Sequence, residues 1–171
     1  MNAVLTNIFS RRSVREFSNQ KIAESDLELI VKAGIHAPSG MNRQTWNFCI
    51  LTNQEKIQEL AHLVELKLNR PDYNFYKPAA LIIPSNDREN PLGQDDNACA
   101  LENIFLAAHS LGIGSVWINQ LRTICDDTEI RSFLNAIQIP ETHVVYGAVA
   151  LGYPLKVLED KPRKQSFYFI R

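Results

Sequence analysis

Apolar positions recur along this chain with two different periods. Leu27, Ile30 and Val31 begin a stripe at helical spacing that stops near Pro38, Ser39 and Gly40, residue types that favour turns. Ser25 followed by Glu28 reads as a capping box for that helix. Trp46, Phe48 and Ile50 alternate with Asn47 and Cys49, the period of a strand. Thr52 and Glu55 form a second capping box, and Ile57, Leu60, Ala61, Val64 and Leu68 follow at helical spacing. Residues 69–77 are polar and loop-like, and 79–83 read as a short buried strand. Residues 95–111 predict a helix that is apolar around most of its surface and closed by Gly112. Such a helix belongs at a domain centre or a subunit interface. Residues 115–118 predict a strand. Asp126 reads as the cap of the next helix, with Glu129 at its third position and Ile130, Phe133, Leu134 and Ile137 on one face. Residues 143–151 form the strongest strand signal, and after Gly152 and Pro154 the segment 155–171 is too short and polar to pack alone. The order α, α, β, α, β, α, β, α, β, then tail predicts a layered α/β or α+β domain. The strands are too few and short for a large doubly wound sheet.

Composition narrows this picture. A chain of 171 residues, 45% hydrophobic and 22% charged, suits one globular domain. The formal net charge of −1 gives no global field toward nucleic acid or an acidic membrane. No apolar stretch approaches the roughly 18 residues of a membrane span, and the first residues lack the pattern of a signal peptide. The expected location is cytoplasmic. Cys49, Cys99 and Cys125 are odd in number and widely spaced, which argues against a disulfide framework or a structural zinc site. His36, His62, His109 and His143 fit no metal spacing.

Three clusters could carry chemistry. Arg11, Arg12, Ser13 and Arg15 crowd three guanidiniums into five residues. An anion among them would relieve the repulsion, and arginine suits phosphate best. A solvated basic turn paired with Glu16 or Asp26 explains the same residues. The second cluster, residues 37–48, joins a helix end to a strand and carries small residues, amides and an aromatic. It could lie against a flat ring, or be a turn with Trp46 in the core. Gly112 and Gly114 lack the third glycine and the strand-to-helix context of a dinucleotide fingerprint. A helix cap and a tight turn into the next strand explain them better. Lys161, Arg163 and Lys164 form a second basic group. It becomes a phosphate clamp only if the tail folds back beside Arg11 and Arg12.

The segment from Arg11 to Phe17 resembles the opening motif of the nitroreductase family, and that from Ala37 to Trp46 its second motif. The central helix, the approach to Trp117, the Gly152-Tyr153-Pro154 exit and Lys161-Pro162-Arg163 are similar to later family features in the same order. The resemblance implies an α+β fold with a central, mostly antiparallel sheet flanked by helices, and an intertwined homodimer. Residues 1–171 would form one FMN-binding domain, with 155–171 exchanged between subunits. Arg11, Arg12 and Ser13, with Lys161 and Arg163, would hold the phosphate and ribityl end. Arg15 would face the N1 and O2 edge of the ring, Pro38, Ser39, Gly40 and Asn42 would come from the partner, and the Asn119 N–H would approach N5. Thr45 stands where the motif usually has proline, and a looser turn is expected there. The chain also lacks the helical insertion that many members place over the active site.

The implied activity is an FMN-dependent oxidoreductase that moves electrons from NADH or NADPH to an electron-poor acceptor, a nitroaromatic or a quinone, by ping-pong turnover. No side chain stands out as a general acid or base. Alternatives are reductive dehalogenation or flavin destruction on the same scaffold, a non-catalytic FMN-binding protein, or a dimeric interaction domain without cofactor.

Overall fold

A computed structural model describes residues 1–156, 159, 162–164 and 166–171. Its elements in chain order are α1 (Ala3–Ser10), α2 (Glu24–Ile35), β1 (Trp46–Leu51), α3 (Gln54–Leu68), β2 (Ala80–Asp87), α4 (Gly93–Ser110), β3 (Gly114–Ile118), α5 (Thr128–Ala136), β4 (His143–Val144) and β5 (Ala148–Gly152). The sheet runs β1-β2-β5-β3, with β4 also on β2, and every ladder is antiparallel. The fold is α+β.

The sheet is buried on both faces, and its residues alternate between two cores. Leu81, Ile83, Val116 and Ala150 face α3 and α5. Ala80, Ile82, Val149 and Leu151 face α2 and α4. Helix α4 buries Ala100, Leu101, Ile104, Phe105 and Ala108 there, so its broad apolar surface belongs to the centre of this domain. Among the described residues no helix is long and apolar enough to cross a membrane.

Several local details differ from the sequence expectation. The strand expected over 143–151 is two strands, because the pairing with β2 changes register: Asn86 faces Val144, whereas Ile82 faces Val149. One extra residue between the ladders makes a bulge. Neither Ser25 nor Thr52 caps a helix. Glu24 already begins α2, whose cap Ala23 has no side-chain bond, and Asn53 caps α3 by accepting from the Lys56 N–H at 3.0 Å. The cap position of α5 falls on Asp127 rather than Asp126. Asp126 instead takes a two-pronged bond from Arg88 (2.7 and 3.0 Å) and one from Arg131 (2.8 Å). Hydrogen bonding from Arg88, then from Arg131, holds its carboxyl below the usual carboxylate range.

One extended segment positions the site. Helix α1 ends at Ser10, and the chain then runs beside β3 and the end of β5. Ser13 bridges Ser115 in parallel, the Val14 N–H donates to the Ser115 carbonyl at 2.9 Å, and Phe17 bridges Pro154. This approach requires glycine on the sheet. A Cβ at Gly114 would lie 2.6 Å from Val14 Cγ2, and one at Gly152 2.8 Å from Phe17. Val14 and Phe17 point into the core and are buried. Ser13 and Arg15 are thereby left exposed.

Candidate functional site

The arginine cluster lies on the extended segment that follows α1. Arg11, Arg12, Ser13, Val14, Arg15 and Glu16 line a cleft of about 440 Å³ together with Lys156, Glu159 and Arg163. The tail therefore folds back beside the first cluster, the condition under which its basic group can clamp phosphate. Five cations face two carboxylates in that cleft, and Glu16 is engaged by Lys156 at 2.7 Å. Lys161 lies outside the described residues.

The arginines are anchored by rings and carbonyls. The Arg11 guanidinium lies 5.6 Å from the Phe105 ring centre, and that of Arg15 5.9 Å from Tyr76. Arg12 Nη1 donates to the Phe9 carbonyl at 2.6 Å and to its neighbour Arg11 at 2.8 Å, which caps α1. Among the described residues neither Arg11 nor Arg15 makes an ion pair with Glu16 or Asp26. Arg11, Arg12 and Arg163, with the Ser13 hydroxyl, fit a phosphate monoester.

His109 sits behind this cleft, its Nε2 2.7 Å from Ser10 Oγ. Burial, then the positive fields of Arg11 and Arg12, hold its imidazole below the ordinary histidine value. A bound phosphate would cancel part of that field and raise the imidazole again. FMN binding to the wild-type protein is therefore expected to take up more protons near pH 6 than binding to His109→Gln. The phosphate's own titration is common to both proteins, so calorimetry in buffers of different ionisation heat isolates the histidine contribution.

Pro38, Ser39, Gly40 and Asn42 are absent from the cleft lining. They form a separate loop around the 3-10 turn Gly40–Asn42. Met41, Asn42 and Gln44 have φ of 54, 55 and 49°, a left-handed region that costs non-glycine residues about 1–3 kcal/mol each. The looser turn expected from Thr45 is not observed. Its hydroxyl donates to Asn86 Oδ1 at 2.6 Å and accepts from Asn90 Nδ2 at 2.9 Å. Threonine ties this turn down where proline would offer no hydroxyl.

A second strained run escaped the sequence reading. Asp72, Phe75, Tyr76 and Lys77 also have positive φ, between 51 and 67°, inside a segment read only as polar loop. Phe75 is fully buried and anchors it. Tyr76 meets Arg15, and the Tyr73 hydroxyl donates to Gln120 Oε1 at 3.0 Å. Burial pushes the Tyr73 phenol up, so it remains a neutral donor. The Asn119 N–H donates to the same Gln120 oxygen at 3.1 Å. This loop thus joins Arg15 to the backbone at the exit of β3. The sequence signal was three aromatics, Tyr73, Phe75 and Tyr76, in a polar stretch without glycine.

Another cavity, of about 720 Å³, lies between residues 18–24, α3 and the 73–79 loop. Lys21 and Lys77 are balanced there by Glu24 and Glu65, so it lacks the excess of cations that marks the arginine cleft.

The sequence profile of the nitroreductase family matches residues 8–75 and 68–153. A Bacteroides fragilis nitroreductase solved with bound FMN is 40% identical, with a TM-score of 0.92 over 99% of both chains. A Desulfitobacterium hafniense nitroreductase with bound FMN is 27% identical, with a TM-score of 0.90 over all of both chains. The NADPH-flavin oxidoreductase of Vibrio harveyi is 28% identical over 95% of this chain and 70% of its own length. With the fold, the arginine cleft and these relatives in agreement, the chain belongs to the nitroreductase family.

Proposed function

We propose that this chain is an FMN-dependent oxidoreductase that passes electrons from NADH or NADPH to an electron-poor acceptor, such as a nitroaromatic or a quinone, by ping-pong turnover. The observation that carries this reading is the cleft where Arg11, Arg12, Ser13 and Arg163 converge, a donor set suited to the FMN phosphate. The FMN bound by the Bacteroides fragilis relative supports it. When bound, FMN supplies the redox chemistry. The chain's residues position it: Arg11, Arg12, Ser13 and Arg163, with Lys161, at the phosphate and ribityl end, and Arg15 at the N1 and O2 edge. Asn119 would give its N–H to N5 in exchange for the Gln120 oxygen that it meets in the chain alone. Pro38, Ser39, Gly40 and Asn42 complete the site from the partner.

The working unit is a homodimer in which the tail's last residues, 166–171, reach the partner, while Lys156, Glu159 and Arg163 stay beside their own chain's Arg11 and Arg12. Three exposed features support it in a single chain. Helix α1 has no buried residue and exposes Val4, Leu5, Ile8 and Phe9. Among the described residues strand β1 is paired on one side only. Phe167, Tyr168, Phe169 and Ile170 project from a tail with no core of its own. A second copy covers such surfaces in obligate dimers.

The purified protein is expected to be yellow, with one FMN per chain, and to oxidise NADH or NADPH when a quinone is added. Colour without oxidation would mark a binding protein, and colourless protein an interaction domain; either result refutes the proposal.

Arg15 is expected to tune the cofactor rather than anchor it. Two-electron reduction leaves negative charge at the N1 edge, and a fixed guanidinium stabilises that charge more than the neutral oxidised ring. Tyr76 holds the guanidinium in place. Arg15→Met should lower the two-electron potential by roughly 40 mV, the equivalent of about 2 kcal/mol, with little change in oxidised FMN binding. An unchanged potential with weakened oxidised binding would move Arg15 to the phosphate clamp.

A further inference from the structure

The loop of residues 38–45 is tied at both ends to one buried polar cluster where β2 passes into α4. At one end the Gly40 N–H donates to Asp96 Oδ1 at 2.7 Å. At the other, Thr45 donates to Asn86 Oδ1 at 2.6 Å. Asn90 joins the two ends, its Nδ2 donating to Asp96 Oδ2 at 3.1 Å and to Thr45 Oγ1 at 2.9 Å. Asn86, Asn90 and Asp96 are only 0, 5 and 4% exposed. The hydrogen count closes: the two hydrogens of the Asn90 amide meet two acceptors, and the Thr45 hydroxyl accepts one bond and donates one. Burial makes this relay directional, because each bond lost leaves a buried group unpaired.

The tie meets a strained loop, which its own bonds also brace: the Gln44 N–H donates to Ser39 Oγ at 2.9 Å and Gln44 Nε2 to Asn42 Oδ1 at 2.6 Å. Met41, Asn42 and Gln44, between the two anchored ends, all sit in the left-handed region. Gln44 immediately precedes position 45, and a residue before proline is pushed toward extended backbone. Threonine therefore supplies the hydroxyl of the relay and also permits the left-handed Gln44. We infer that Thr45 and Asn90 are positioning residues for the cofactor, clamping the Pro38–Asn42 loop in the one strained shape it presents to the ring in the opposite site. This inference rests on the assignment of that loop to the partner's FMN, and it adds two residues that lie outside the arginine cleft.

Full-length wild type, Thr45→Val, Thr45→Ser and Asn90→Ala test it. The probes are FMN titrated into the apo protein, followed by flavin fluorescence and visible absorption, and trypsin cleavage after Arg43 in the apo protein. Thr45→Val keeps the volume and loses the hydroxyl. It should weaken FMN binding about tenfold, the scale of one such bond, change the flavin spectrum and speed cleavage after Arg43. Asn90→Ala should do the same, which keeps the test alive if Thr45→Val fails to fold. Thr45→Ser should stay within about twofold of wild type on every readout. If Thr45→Val and Asn90→Ala lose thermal stability while binding FMN with wild-type affinity and spectrum, the relay is merely structural and the inference falls. If the wild type itself binds no FMN, the functional assignment fails, and the inference with it. That case is told apart by the wild-type titration, while Arg43 cleavage still reports the clamp alone.

Discussion

Alanine at both Arg12 and Arg163 should weaken FMN binding by two to four orders of magnitude. Each guanidinium offers the phosphate charge-assisted hydrogen bonds worth about 1.5–3 kcal/mol. One of them therefore accounts for roughly ten- to hundredfold, and two add if they act independently. The two side chains come from opposite ends of the sequence and line one cleft. The single variants should differ in kind. Arg12 also holds the Phe9 carbonyl at the end of α1, so Arg12→Ala should cost thermal stability as well as affinity. Arg163→Ala should cost affinity alone. Titration of FMN into apo protein, with melting curves beside it, separates the two. A double variant that carries FMN through gel filtration with wild-type affinity would overturn the phosphate assignment.

The parts of the fold that were legible in the sequence are those where one local rule acts. Alternation at Trp46, Phe48 and Ile50 marked β1, and spacing at Ile57, Leu60 and Val64 marked α3. The caps of α3 and α5 were misplaced by one residue because polar residues compete at those helix starts; Asn53 won over Thr52, and Asp126 was claimed by Arg88 and Arg131 from elsewhere in the chain. The bulge between β4 and β5 depends on pairing with β2 and leaves no local mark. The same division holds at the site. Charge density made Arg11, Arg12 and Arg15 visible, whereas their convergence with Arg163 spans most of the chain. The Tyr73–Lys77 loop and the Thr45 relay were hidden because left-handed residues other than glycine have no reliable sequence signal. Such residues persist only where surrounding structure holds them, and here that structure is Phe75 in the core and the Asn86, Asn90 and Asp96 cluster.

Deletion of residues 166–171 should have the largest effect of all. The deleted piece holds Phe167, Tyr168, Phe169 and Ile170, which are 71, 88, 79 and 98% exposed in the single chain. Burying such a side chain fully contributes about 1.5–3 kcal/mol, so four of them bring roughly 6–12 kcal/mol of gross burial per tail. Ordering the six residues offsets an amount of the same size, at about 1–2 kcal/mol per residue for the backbone, so the net contribution rests on the further contacts that the docked tail makes, once for each tail of a symmetric dimer. The unpaired edge of β1 gives the tail a place to add backbone hydrogen bonds as well. The deletion stops short of Arg163, so the phosphate clamp stays in the chain while the embrace is lost. Light scattering should show the full chain as a dimer at micromolar concentration and the shortened chain shifted to monomer. FMN should be lost along with the dimer, because the loop carrying Pro38, Ser39, Gly40 and Asn42 would no longer reach the opposite site. A shortened chain that stays dimeric would assign the subunit contact to α1 alone. A folded monomer that holds FMN as tightly as the full chain would refute a site shared between two subunits.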